Sequence, residues 1–183
     1  MTDPALRPAV FLDRDGVLNR PLTREGAPYP PASMEEFELI PGVKRACERL
    51  RAAGFALVVA TNQPDVGRGT ITRELVESMH ALLLRELPLD RIEVCYAAGS
   101  AHGEPSEFRK PAPGMLLRAA HEMHLDLARS WMIGDRWRDV SCGHAAGCRT
   151  ILVDHGYAET MRVEPEFRVR SLAEAAELIL AAI

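Results

Sequence analysis

Two carboxylates two residues apart, Asp13 and Asp15, follow the apolar run Ala9-Val10-Phe11-Leu12 and precede Gly16. A buried strand ending in paired acids delivers them at its carboxyl end, the side on which open α/β sheets bind ligands, and the glycine permits a tight turn. Acids so placed can hold a hard cation beside a reacting group. Alone, the run would equally fit a solvated acidic turn, and three further segments decide between the two.

The apolar run Phe55 to Ala60 ends in Thr61-Asn62-Gln63, where small hydrogen-bonding side chains replace bulk. Arg109-Lys110-Pro111-Ala112-Pro113-Gly114 sets two cations before a helical pattern, and Trp131-Met132-Ile133-Gly134-Asp135 reads as a strand followed by Arg136-Trp137-Arg138-Asp139. Together the four segments supply acids, a hydroxyl, an amide and cations from separate loops. Phosphoryl transfer needs this set: donors and cations hold the phosphate oxygens while a metal offsets charge between an acidic nucleophile and an anionic substrate.

In this order the segments resemble the four motifs of the haloacid dehalogenase superfamily of phosphatases, most closely its heptose-bisphosphate and histidinol-phosphatase branch, over roughly Val10 to Tyr157. The resemblance implies a Rossmann-like α/β fold, a doubly wound parallel sheet, with a minimal cap domain or none. It also implies a magnesium-dependent phosphomonoesterase working through an aspartyl-phosphate on Asp13. Asp15 would be the general acid and base, a task that needs a carboxyl group able to hold a proton near working pH. Magnesium would be held by Asp13, the backbone carbonyl of Asp15, and Asp135. Asp139 would either support that shell or serve as a first-turn acid on the helix dipole. Thr61 and the backbone of Asn62 would hold phosphoryl oxygens, and Lys110 would neutralise them. Arg109 would grip a second phosphate or a carboxylate of the substrate, with Gln63, Arg68 and Arg136 as weaker contacts on the same surface. Arg14 and Arg138 read equally well as solvated.

Two departures from that branch bear on the substrate. Many of its members carry a zinc-binding loop of cysteines and histidine before the Arg-Lys-Pro segment. Here Cys95 keeps the first position, but Ala97, Ser106 and Phe108 replace the other ligands. His102 alone cannot complete a closed site, which takes four ligands, so no structural zinc is expected. Asp65 stands where a small residue is common, and an acid there disfavours a nearby substrate anion unless Arg68 pairs with it. The leading expectation is D-glycero-D-manno-heptose 1,7-bisphosphate. Histidinol phosphate is the alternative, because its amine would suit Asp65, and a catalytically silent phosphosugar-binding protein is the reading from another class.

Composition sets the outer limits. At 183 residues, 47% hydrophobic and 26% charged, the chain is long enough for one sizeable core and is read as one phosphatase domain over 1–183. A net charge of −4 gives no electrostatic footprint for nucleic acid. No apolar run approaches the ~20 residues that span a bilayer, and residues 1–7 lack a signal-peptide core. A cytoplasmic protein acting on a small-molecule phosphate ester is expected, with no nucleic-acid or membrane partner and a monomer favoured. The four cysteines have no disulfide-rich spacing. Cys142, His144 and Cys148 include zinc-ligand types, but Cys142 and His144 lie two apart on a predicted helix and so point to different faces.

The site must be positioned by alternating strands and helices. Helices are predicted over 42–53, after Thr72, over 114–125 and 138–146, and after Ser171, whose Ser-x-x-Glu spacing matches a capping box. Strands are predicted at 9–12, 55–60, 92–96, 131–134 and 150–153. Continuous apolar strands argue for a parallel sheet covered on both faces. Residues 20–41 are too rich in proline for a regular helix. With no stretch long enough for a separate cap, the loops 20–41 and 97–109 are expected to screen the site, favouring a substrate that is small or carries its phosphate on an accessible end.

Overall fold

The computed structural model describes residues 6–24, 27–99 and 106–182. One six-stranded parallel sheet organises them: β1 (Arg7–Leu12), β4 (Ala56–Asn62), β5 (Arg91–Cys95), β6 (Leu125–Gly134), β7 (Arg149–Val153) and β8 (Phe167–Val169), in the order β5-β4-β1-β6-β7-β8. Between β1 and β4 the chain forms an antiparallel hairpin of β2 (Leu22–Arg24) and β3 (Ala27–Tyr29). Helices α1 (Val43–Ala52), α2 (Pro64–Arg68), α3 (Arg73–Glu86), α4 (Gly114–Met123), α5 (Trp137–Ala146) and α6 (Leu172–Ala181) complete the chain.

Strand alternation builds a core on each side of the sheet, as the period of two requires. Val10 and Leu12 of β1 face Val43 and Leu50 of α1, Met79 and Leu83 of α3, and Leu172 and Ile179 of α6. Ala9 and Phe11 face the opposite layer, where Met115, Leu116 and Ala119 of α4 meet Cys142 and Ala146 of α5. The chain winds outward from β1 in one direction through β4 and β5, then in the other through β6 to β8. The crevice between β1 and β6 is therefore a topological switch point, and Asp13 and Asp135 are the first residues beyond those two strands. The backbone N–H of Asp13 donates to the Ile133 carbonyl at 2.9 Å, tying the two strand ends together.

Several boundaries differ from the sequence reading. The predicted helix over 114–125 stops at Met123, where His124 takes a left-handed φ of 53° and Leu125 already pairs with Arg7. Strand β6 thus starts earlier than Trp131. Its register on β1 shifts between Pro8 and Val10, and the Ser130 hydroxyl accepts the Ala9 N–H at 2.8 Å in that irregular stretch. No continuous apolar run marks residues 125–130, so the strand is invisible to patterning. The proline-rich segment, expected to be a loop, contains the β2–β3 hairpin, and Phe167–Val169 adds an edge strand that the sequence pattern does not mark. The capping signals hold: Thr72 Oγ1 accepts from Leu75 N and Ser171 Oγ from Glu174 N, each at 3.2 Å.

Candidate active site

Four loops converge above the carboxyl ends of β1, β4 and β6 to line a cleft of about 270 Å³. Its floor includes Asp13, Asp15, Asn62, Lys110, Asp135 and Asp139, its rim Arg68, Arg109, Arg136 and Arg138, and one wall Pro21, Pro28, Tyr29 and Pro30 from the hairpin region.

Lys110 is the hub of the floor. Its Nζ forms ion pairs with Asp13 Oδ1 at 2.9 Å and Asp139 Oδ1 at 2.7 Å, and donates to the Ala60 carbonyl at 2.7 Å. Asn62 holds the backbone in place, donating its side-chain amide to the Lys110 carbonyl at 3.0 Å and accepting the Lys110 N–H at 3.1 Å. Burial alone would lower the lysine's pKa, but Asp13 and Asp139 outweigh it and hold the group charged above its ordinary range.

One carboxylate oxygen from each of Asp13, Asp135 and Asp139 lies within 4.8 Å of the others, and all three residues are buried. Burial pushes the Asp13 carboxyl up to about 6, with Lys110 opposing and Asp139 and Asp15 adding to the rise. Asp135 is raised well above its ordinary value by burial, then by Asp13 and Asp139. A buried acid triad with one lysine carries charge that a hard divalent cation would neutralise, and oxygen donors suit such an ion. Two glycines make the approach possible. A Cβ on Gly16, whose φ is 85°, would stand 2.1 Å from Asp135 Oδ2, and one on Gly134 would stand 2.1 Å from the Asp139 Cβ. Asp139 also accepts the Arg136 N–H at 3.0 Å at the start of α5, so helix capping and membership of the acid cluster, alternatives in the sequence reading, coexist.

Asp15 departs from expectation. Arg14 Nη2 donates to both of its oxygens at 3.0 Å, Asn19 Nδ2 to one at 3.0 Å and Gln63 Nε2 to the other at 2.8 Å. Burial would raise this carboxyl, but Arg14, Asn19 and Gln63 hold it below its ordinary value. In this state Asp15 is ionised rather than poised to hold a proton near neutral pH. The peptide that carries its carbonyl is fixed separately, because the Gly16 N–H donates to the Asn19 carbonyl at 2.9 Å.

The other sequence candidates fall into two groups. Thr61 is fully buried at the end of β4, and its hydroxyl accepts from Gln63 Nε2 at 3.0 Å. Gln63 is itself buried, hydrogen-bonded to Asp15 and Thr61. Arg68 lies 2.9 Å from Asp65, and Arg136 pairs with Glu159. Arg109 donates to the Ala97 carbonyl at 2.8 Å, and its pKa is lowered by burial, then by the charges of Arg138 and Arg68. Among the described residues neither Arg109 nor Arg138 lies within ion-pair distance of a carboxylate, although the Arg138 charge helps to lower the Glu159 pKa.

Arg14 and Arg138, which the sequence reads equally well as solvated, both lie close to the cleft. Arg14 is completely buried, and Arg138 lines the cleft. The zinc-loop positions are described only in part: Cys95 Sγ lies 3.7 Å from Ser106 Oγ, whereas His102 falls outside the described residues. Cys142 is buried while His144 is exposed, which bears out their opposite faces. Among the described residues no helix is long and apolar enough to cross a membrane.

Comparison with known proteins agrees with this geometry. The HAD-hydrolase-like family matches residues 107–175. The D-glycero-beta-D-manno-heptose-1,7-bisphosphate 7-phosphatase of Yersinia pestis is 39% identical over 186 aligned positions, covering 95% of this chain and 96% of that protein. The enzyme of the same name from Escherichia coli K12 is 36% identical over 94% of this chain and 93% of its own. Among solved structures, the D,D-heptose 1,7-bisphosphate phosphatase of B. bronchiseptica, complexed with magnesium and phosphate, superposes with a TM-score of 0.75 at 29% identity, covering 96% of this chain and 99% of that one. A HAD-like phosphatase from Mesorhizobium loti superposes with a TM-score of 0.76 at 31% identity over 99% of this chain and 88% of its own. At these identities and this coverage, the chain belongs to the haloacid dehalogenase superfamily, as a phosphoric monoester hydrolase.

Proposed function

We propose that this protein is a magnesium-dependent phosphatase that removes the phosphate from the exocyclic end of a heptose 1,7-bisphosphate. The observation that carries the substrate is the cationic rim. Arg109 lies beyond ion-pair distance of any carboxylate among the described residues, and the charges of Arg138 and Arg68 add to burial in lowering its affinity for a proton. Guanidinium groups gathered at the rim of a cleft that already holds one phosphate site suit a second phosphate. The case for histidinol phosphate weakens for the same reason: Arg68 already engages Asp65, so that carboxylate is not left to attract an amine. The relatives' name supports the same choice.

Asp13 is the nucleophile in this reading. Its carboxylate attacks phosphorus, forming an aspartyl-phosphate as the ester oxygen leaves, and water then hydrolyses that intermediate. Lys110, already against Asp13, screens the approaching dianion, and the end of β4 at Thr61 and Asn62 offers donors to the phosphoryl oxygens. Asp15 gives its proton to the departing oxygen and takes one from the attacking water. Asp13, the Asp15 carbonyl and Asp135 would hold magnesium, with Asp139 behind them, and the ion would supply charge neutralisation for the transferring phosphoryl group. The ionised state of Asp15 described above is the form that follows proton donation. Its acid form requires the phosphate's negative charge nearby.

Residues 1–183 act as one domain in this reading, with the segments 20–41 and 97–109 screening the cleft, and the enzyme works on a free small molecule in the cytoplasm. Following heptose 1,7-bisphosphate by phosphorus NMR in the presence of magnesium tests the proposal. Loss of the C7 resonance with the C1 phosphate retained is expected. Loss of the C1 phosphate, or of neither, would refute it.

A further inference from the structure

We propose that Arg14 is a positioning residue for Asp15, and that His80 holds Arg14 to that task from α3, the two forming a buried brace beneath the cleft. The inference rests on the reading of Asp15 as general acid and base. Arg14 is among the largest fully buried side chains of the protein. Its fork meets both Asp15 oxygens, Nε at 3.3 Å from Oδ1 and Nη2 at 3.0 Å from each. Its other arm, Nη1, lies 3.4 Å from His80 Nε2 and 3.8 Å from the Met79 sulfur, and the guanidinium carbon stands 5.7 Å from the Phe37 ring centre. Around that arm, His80 is the strong acceptor, since a thioether accepts weakly and an aromatic face only attracts the cation. Burial and the Arg14 charge lower the His80 pKa to about 4, so the neutral ring is free to accept.

A guanidinium is costly to bury unless its partner and geometry justify it. Asp15 is its ion-pair partner among the described residues, and the Asp15 side chain is 22% exposed toward the cleft. The brace therefore fixes the one carboxylate that must move a proton. When the phosphorus–oxygen bond to the leaving group breaks and the Asp13 oxygen–phosphorus bond forms, a proton passes from Asp15 to the departing oxygen. The charge left on Asp15 is met by the waiting Arg14 fork. In the second half-reaction the same carboxylate takes a proton from the attacking water.

The test is leaving-group dependence of kcat/KM, which reports the chemistry up to phosphoryl transfer. A sugar alkoxide needs a proton to leave, whereas p-nitrophenolate does not. Arg14→Met, Arg14→Lys, His80→Leu and Asp15→Ala are compared with the wild type on a sugar phosphate and on p-nitrophenyl phosphate, each variant first checked for a cooperative thermal transition. Arg14→Met is expected to lose about 100-fold on the sugar phosphate and less than about 5-fold on the aryl ester. Arg14→Lys and His80→Leu should show the same selectivity at smaller size, and they carry the test if Arg14→Met does not fold. Adding Arg14→Met to Asp15→Ala should cost nothing further. Equal losses on both esters in the Arg14 and His80 variants, with Asp15→Ala still selective, would overturn the brace alone. Equal losses in Asp15→Ala would overturn the underlying reading of Asp15 and the brace with it.

Discussion

Lys110 Nζ stands 2.9 Å from Asp13 Oδ1, so the loop before α4 and the loop after β1 meet through one buried ion pair. Asp139 holds the same ammonium at 2.7 Å. Lysine and acids depend on each other: the cation is kept charged by the carboxylates, and the carboxylates are tolerated in the interior because of the cation.

Replacing Lys110 with methionine should therefore damage both activity and stability. Removing the one cation among three buried acids leaves them uncompensated, at a cost of about 3–5 kcal/mol. Phosphate release should fall to background, and thermal unfolding should show a clear loss of Tm, partly restored by magnesium.

Asp13→Asn should separate the two properties. The nucleophile is lost, and turnover is expected to fall by about 10³-fold or more. The metal-free protein, however, loses one of three crowded acids and should melt at the same temperature as the wild type or higher, since sites built for chemistry carry destabilising charge. A large fall in Tm would count against this view of the triad.

The pH dependence follows from the raised acids. Asp13 titrates near 6 in the folded chain against 3.8 ordinarily, and Asp135 is shifted the same way. The folded state thus binds protons more tightly than the unfolded one. Stability from Asp13 is full below about pH 4 and is lost as pH rises through about 6, and Asp135 acts in the same direction. Magnesium must displace the same protons, so the Tm increase on adding it should be small at pH 5 and grow toward pH 8. Thermal unfolding across that range, with magnesium and with chelator, measures both trends, and a magnesium shift that shrinks with rising pH would contradict them.

Arg109→Gln should act on substrate choice. The KM for a bisphosphate is expected to rise about 10–100-fold, as for a lost charge-assisted contact, while the KM for a hexose monophosphate changes by less than about 2-fold. Arg138→Gln should act in the same direction. Equal effects on both substrates would place these arginines outside second-phosphate recognition.

The legible parts of the site were those at the carboxyl ends of apolar strands. Asp13, Asn62 and Asp135 could be placed because runs such as Phe55 to Ala60 announce buried strands whatever surrounds them. Arg14 was not legible, because a charged residue between two acids reads as solvated. Its signal was the strand alternation itself: Val10 and Leu12 face the α1, α3 and α6 layer, and two residues further the same direction leads inward. His80 carried a similar signal, four residues after the buried Val76 and three before the buried Leu83. Gln63 looked like a rim residue by its position in the motif, and only packing reveals that it turns toward Asp15. The β2–β3 hairpin escaped notice because prolines suppress the strand pattern even where a two-stranded ribbon can form.

The most direct test of function is magnesium-dependent phosphate release across heptose 1,7-bisphosphate, hexose monophosphates, histidinol phosphate and nucleotides, with specificity constants measured beside an Asp13→Asn control. A preference of at least about 10-fold for the bisphosphate, abolished in the control, is the expected result. Preference for histidinol phosphate, or the same constant for every ester, would contradict the assignment of the Arg109 and Arg138 rim to a second phosphate.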